Sequence, residues 1–171
     1  MSEEREKNLI VRGKYNIRAI LNAGPVKTLS IDEIKDDQMV AAAAIDAYTV
    51  ILQNCKSIRV FDCINDTIKA PEIVIRHCEY VELPGSIVTT VMTVQDSVIH
   101  ANSESKILRI DGDLVCTKSL FEGFDELRVN GTVYLDAFTK AHLGDRLTKV
   151  KRTIDLGEIE EISPVIDSRA A

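Results

Sequence analysis

A seven-residue phrase that occurs twice constrains this chain more than any other feature. Leu108-Arg109-Ile110-Asp111-Gly112-Asp113-Leu114 returns nineteen residues later as Leu127-Arg128-Val129-Asn130-Gly131-Thr132-Val133. Each copy places apolar residues at alternate positions, turns at an Asx-Gly pair and resumes on an apolar residue. Such alternation closed by a turn dipeptide marks a half-buried strand followed by a tight bend. Weaker copies of the phrase run back to about Val50.

A second internal match strengthens the first. Ile45-Asp46-Ala47 is followed by Val50, Leu52, Asn54, Cys55, Ile58 and Val60. At an offset of 23, Ile68-Lys69-Ala70 is followed by Ile73, Ile75, His77, Cys78, Val81 and Leu83. Ile99-His100-Ala101 opens a similar phrase. Aligning the strands on one apolar residue each gives Leu52, Ile75, Val94, Ile110, Val129 and Val150, with steps of 23, 19, 16, 19 and 21. Self-similarity near twenty residues marks a solenoid, in which each coil is too small to bury its own face and must stack on the next. The expected fold is mainly β: a single-stranded parallel β-solenoid of about six irregular coils. A strict hexapeptide repeat is absent.

Composition agrees with this build. Tryptophan is missing and aromatics make up 5% of the 171 residues, whereas Ile and Val are abundant, as suits tightly stacked pleated layers. The net charge of -6 argues against a nucleic-acid surface, although Lys149, Lys151 and Arg152 lie close together. The first residues lack a signal core, and no apolar run is long enough for a membrane span, so a cytoplasmic protein is expected. The four cysteines then read as free thiols.

Residues 1–14 are charged and aperiodic and read as a mobile arm. Residues 15–156 form the solenoid domain with an N-terminal cap, and 157–171 form a C-terminal tail. Gly24-Pro25 interrupts the early apolar pattern. Ser30-Ile31-Asp32-Glu33 has the form of a capping box, and Ala41–Ala44 could extend a helix from it. An early coil of the solenoid is the competing reading, and both stay open for 30–48. Farther on, Ser119-Leu120-Phe121-Glu122 predicts one short helix. Asp136, with Phe138, Ala141 and Leu143 and a closing Gly144, predicts another.

In a parallel solenoid equivalent positions stack about 4.8 Å apart, so chemistry has to be sought in columns. Two positions past each anchor come Asn54, His77, Asp96, Gly112 and Gly131; one further come Cys55, Cys78, Ser97, Asp113 and Thr132. Cys55, Cys78, His77 and Asp96 are the candidate metal set, since thiolate and imidazole suit zinc. A structural reading outweighs it. Asn, Asp and Gly tolerate the left-handed conformation of tight corners, and small Cys, Ser and Thr pack inside a bend. A Cys55–Cys78 disulfide is geometrically conceivable but disfavoured in a reducing compartment. No catalytic motif is found, His100 and His142 lack an evident partner, and no cofactor is expected.

The stretch Leu52-Gln53-Asn54-Cys55-Lys56-Ser57-Ile58, with its echo Ile75-Arg76-His77-Cys78-Glu79-Tyr80-Val81, resembles coils of the β-helical domains of cyclase-associated protein and tubulin-folding cofactor C. The cofactor C type carries a functional Arg four positions before such a Cys. Val74 stands there in this chain, and Arg76 does not inherit the role. The later coils, with Ile110-Asp111-Gly112 and Val129-Asn130-Gly131, resemble bactofilin-like polymer-forming proteins, which stack end to end. Both resemblances imply parallel β-solenoid folding and a binding or assembling role. The expected function is a non-enzymatic scaffold that self-associates through a solenoid edge or face into a homo-oligomer. The alternative is a module that recognises a protein or glycan on one face, for which Tyr15, Tyr48, Tyr80 and Tyr134 are candidates.

Overall fold

Strands that cannot bury their own apolar face have to stack, and in the computed structural model they do so in parallel throughout. The structure describes residues 8–12, 22–34, 44–59, 67–102 and 106–157. In chain order the strands are β1 (Asn8–Arg12), β2 (Asn22–Asp32), β3 (Ala44–Gln53), β4 (Ile58–Arg59), β5 (Thr67–Lys69), β6 (Glu72–Arg76), β7 (Val81–Pro84) and β8 (Ser86–Gln95). They continue with β9 (Val98–Asn102), β10 (Ile107–Thr117), β11 (Leu120–Glu122), β12 (Glu126–Val129), β13 (Thr132–Asp136), β14 (Leu147–Thr148) and β15 (Arg152–Gly157). A short helix, α1 (Ala137–Leu143), joins β13 to the last coil. Every pairing among the described residues is parallel. The fold is a parallel β-solenoid of about six coils.

Each complete coil has three runs. The long strands β8 and β10 change partner half-way: their first halves meet β5 and β12, and their second halves meet β6 and β13. The change falls at a register shift between Asp111 and Asp113, and a bulge of this kind bends the strand. The same point in neighbouring coils is an outright break, at Ala70-Pro71 and at Asn130-Gly131. A second, smaller sheet in the order β11-β9-β7-β4 supplies the third run.

The core consists of side-chain columns inside these runs. Ile31, Leu52, Ile75, Val94, Cys116 and Leu135 form one, and Leu29, Val50, Ile73, Met92, Leu114 and Val133 form its neighbour. Ile68, Ile87, Ile110 and Val129 stack before the bend. Ile58, Val81, Ile99 and Phe121 stack in the smaller sheet. All are buried.

This register corrects one sequence alignment. Ile110 faces Ile87 rather than Val94, and Val129 follows Ile110; the residues in line with Val94 are Cys116 and Leu135. The apparent 16-residue step came from matching the first half of one bent strand to the second half of another. Both halves alternate in the same way, so apolar pattern alone does not separate them.

The two predicted C-terminal helices fare differently. Asp136 caps α1 as expected, with Oδ1 accepting the Thr139 N–H at 3.0 Å, and Gly144 closes the helix at φ 53°. Ser119–Glu122 is not helical: Leu120–Glu122 is β11, because burying Phe121 in the column of Ile99 outweighs the local capping pattern. For 30–48, Ser30–Asp32 belong to β2, so no helix starts at Ser30, and Ala44 onward belong to β3; residues 35–43, Ala41–Ala43 among them, lie outside the described residues. Gly24-Pro25 sits in a second register shift, between Ala23 and Val26. The arm assigned to 1–14 contains β1, which pairs with β2. Its other residues, together with 15–21 and 158–171, lie outside the described residues.

Asp136 has a second task, since its Oδ2 accepts the Lys118 N–H at 2.8 Å from the adjoining coil. Asp136→Ala is therefore expected to destabilise the fold by about 2–4 kcal/mol, combining a lost helix cap with an unsatisfied backbone donor. Urea denaturation measures this; a loss no larger than that of an isolated cap would remove the inter-coil role.

Candidate functional site

Between the second and third runs the chain turns a corner through one residue per coil in the left-handed region. These residues are Glu33, Asn54, His77, Asp96 and Lys118, with φ between 46° and 56°. Asn and Asp tolerate this conformation because their short polar side chains bond locally, whereas Glu and Lys hold it under constraint from the stack. Gly112 and Gly131 do not belong to this column and lie at the earlier bend. Lys118 takes the place assigned to Gly112.

The next residue at each corner points inward, giving Ile34, Cys55, Cys78, Ser97 and Ser119 in place of the expected continuation to Asp113 and Thr132. The small polar members share one bonding scheme. Cys55 Sγ, Cys78 Sγ, Ser97 Oγ and Ser119 Oγ each donate to the carbonyl two residues back, at 3.2, 3.4, 2.9 and 2.8 Å. Across coils, the Cys78 N–H donates to Ser97 Oγ, the Ser97 N–H to Ser119 Oγ, and the Ser119 N–H to Thr139 Oγ1. The column thus satisfies backbone donors that the corner removes from the sheet ladder.

The four candidate metal ligands accordingly divide by direction. His77 and Asp96 point outward and meet, with Nδ1 and Oδ2 at 3.1 Å; their side chains are 40% and 60% exposed. Cys55 and Cys78 are buried free thiols on the inner side of the same corner. Adjacent backbone positions that alternate in direction cannot turn both pairs toward one point. Among the described residues no group of three or more His, Cys, Asp or Glu is arranged to hold a metal ion.

Ionisation of the thiols follows their surroundings. The side-chain contact with Cys55, together with burial, pushes the Cys78 thiol up, while the same contact pulls Cys55 down. Burial pushes Cys116 well above the ordinary thiol range, and the Asp136 charge adds to the effect. Because the thiolate is the nucleophile, iodoacetamide at mildly alkaline pH is expected to label Cys55 before Cys78 and Cys116 in the native protein. Mass spectrometry of a time course provides the check, and equal labelling of the three would contradict this order.

A groove of about 430 Å³ runs outside the corner past His77, Asp96, Lys118, Val98 and Leu120 to Phe138, which is 55% exposed on α1. It continues past His77 and Glu79 into a second hollow of about 330 Å³ beside Asn54 and Lys56. Two participants, Lys118 and Ser119, were missed from the sequence. Their signal was present: Gln95-Asp96-Ser97-Val98 and Thr117-Lys118-Ser119-Leu120 share a serine at a spacing of 22.

Histidines that look solitary in the sequence have partners here. His100 stacks on Tyr80 at 4.3 Å between ring centroids, and its Nε2 lies 3.3 Å from Glu122 Oε2 on the neighbouring strand. His142 Nε2 lies 3.0 Å from the Phe121 carbonyl oxygen. Tyr134 is half-buried and Tyr48 is exposed, while Tyr15 lies outside the described residues. No helix among the described residues is long and apolar enough to cross a membrane. No family model, curated protein or solved structure matches the chain.

Proposed function

We propose that this solenoid is a non-enzymatic scaffold that self-associates end to end, the last strand of one copy extending the ladder of the next. The observation that carries this reading is the one-sided pairing of the first and last strands of the larger sheet. Among the described residues β1 pairs only with β2, and β15 only with β13. An unpaired strand edge presents backbone donors and acceptors to another chain.

Side chains favour the same register. On the outer face of the second run, Ile10, Ser30, Ile51, Val74, Thr93, Val115, Tyr134 and Ile154 form one column from edge to edge. Within the stack its members are half-buried, whereas Ile10 at the first edge is 57% exposed and Leu156, beside the last, 38%. Ladder continuation would cover Ile10 with Ile154 of another copy. The resemblance of the later coils to bactofilin-like polymer formers points the same way.

Light scattering across a wide concentration range is expected to show association, and Ile10→Lys to reduce it by placing an unpaired charge at the edge. A strict monomer at high concentration would overturn the proposal. The alternative, recognition of a protein or glycan, draws support from the corner groove with its exposed Phe138. It predicts that Phe138→Ala removes partner binding without changing oligomeric state.

A further inference from the structure

Charged side chains on the outer surface of this solenoid obey a rule. A charge on one coil meets its complement on the next, Arg12 with Asp32 and Arg59 with Glu82, and the His77 and His100 imidazoles likewise meet the carboxylates of Asp96 and Glu122. Polar neighbours follow suit, Arg76 Nε donating to Gln53 Oε1, Thr49 Oγ1 to Glu72 Oε1 and Asn130 Nδ2 to Asp111 Oδ1. In-register stacking favours the pattern, because opposite charges on facing positions attract and like charges repel.

Among the described residues, one place breaks the rule. Arg109 of β10 is in direct register with Arg128 of β12, and Lys149 follows on the next coil beyond Thr148, the register partner of Arg128. Glu126 supplies Arg128 with an internal counter-ion, its Oε2 lying 2.6 Å from Arg128 Nε. Arg109 is exposed and makes no ion pair or side-chain hydrogen bond among the described residues. These three cations line a groove of about 450 Å³ together with Ser86 and Asn130. Asp111, the acid in the groove, already accepts from Asn130.

We infer that this groove is a binding site for a compact oxyanion ligand carrying phosphate or carboxylate groups, with Arg109 as its principal contact. Guanidinium groups on facing positions suit such oxyanions because each presents several N–H donors in a fixed plane, and charge-assisted bonds of this type are the stronger ones. The Ser86 hydroxyl adds a neutral donor to the lining, and Asn130 Nδ2 keeps one N–H beyond its bond to Asp111. The groove suits a small molecule, and the net charge of -6 on the whole chain opposes a long polyanion, so the site reads as local. Self-association is not needed for this inference, since every group belongs to one copy.

Titration calorimetry of the full-length protein with inorganic pyrophosphate, inorganic phosphate and citrate in turn tests it. Saturable binding of one ligand per chain is expected for at least one of them. Preference for pyrophosphate identifies a phosphorylated ligand, and preference for citrate a carboxylate one. Arg109→Gln is expected to weaken binding at least about tenfold, and Lys149→Gln by a smaller factor, while Lys27→Gln, exposed on β2, leaves it unchanged. Relief of like-charge repulsion also predicts a higher Tm for ligand-free Arg109→Gln, which shows in the same measurement that the variant is folded. The inference is overturned if none of the three anions binds saturably, if Arg109→Gln binds as the parent does, or if that variant melts no higher. Tighter binding of duplex DNA than of any small anion would also overturn it.

Discussion

Ile75→Asp is expected to remove at least about 4 kcal/mol of stability, because it places a carboxylate where no water or counter-charge reaches it. Ile75 is 0% exposed and lies between Leu52 and Val94 in the column that runs the length of the second sheet run. A domain of this size has roughly 5–15 kcal/mol in total, so the variant stands close to unfolding. Val74→Asp serves as its internal control. Val74 is on the same strand but faces outward between Ile51 and Thr93, and its replacement is expected to cost about 1 kcal/mol, mostly in strand preference. Urea denaturation of the two variants compares them directly. Equal losses would mean that the inward and outward assignments of this strand are wrong, since a slip of one residue exchanges every side chain between faces.

Inward and outward positions were legible in the sequence because a strand has a period of two, and Leu52, Ile75 and Val94 are placed as their alternation indicates. Stacking was legible for a related reason: Ile-x-Ala followed by a buried Cys at constant spacing means that one coil repeats the environment of another. The Asp136 helix could be read because capping is local, needing only an acid at one end and a glycine at the other. What could not be read is which half of a bent strand faces which. Ile110 and Cys116 are both buried on β10, and only the long-range pairing assigns the first to Ile87 and the second to Val94. The same ambiguity led Gly112 into the place of Lys118. Ser119 misled in another way: a hydroxyl that binds the carbonyl two residues back and accepts an N–H from the neighbouring coil looks, in sequence alone, like a helix cap. For the surface, sequence showed a few basic residues near Lys149. The facing of Arg109 and Arg128 emerged only with the register.

Those misassigned glycines yield the second large effect. Gly112→Ala is expected to cost about 3–5 kcal/mol, from backbone strain and steric overlap together. A Cβ on Gly112 would stand 2.1 Å from the Thr89 carbonyl oxygen, and the residue holds φ at 148°, where an alanine is strained. The clash is with backbone of the adjacent coil, so no side-chain rotation relieves it; either the bend opens or the two coils part. Gly131 is packed as closely, since a Cβ there would stand 2.2 Å from the Gly112 carbonyl oxygen, but without a positive φ. Gly131→Ala therefore isolates the steric part and is expected to cost about 2–3 kcal/mol. Gly144 isolates the other part: at φ 53° and ψ -126°, a Cβ added there would meet nothing within 4 Å, and its replacement by alanine is expected to cost about 1–2 kcal/mol. Thermal and urea unfolding of the three variants should rank Gly112 above Gly131 above Gly144. The ranking separates close approach from conformational freedom as the reason for a glycine. If Gly144→Ala proved the most damaging, conformational freedom rather than the stacking of Thr89, Gly112 and Gly131 would set the requirement, and the bend would lose its role in holding successive coils at their close spacing.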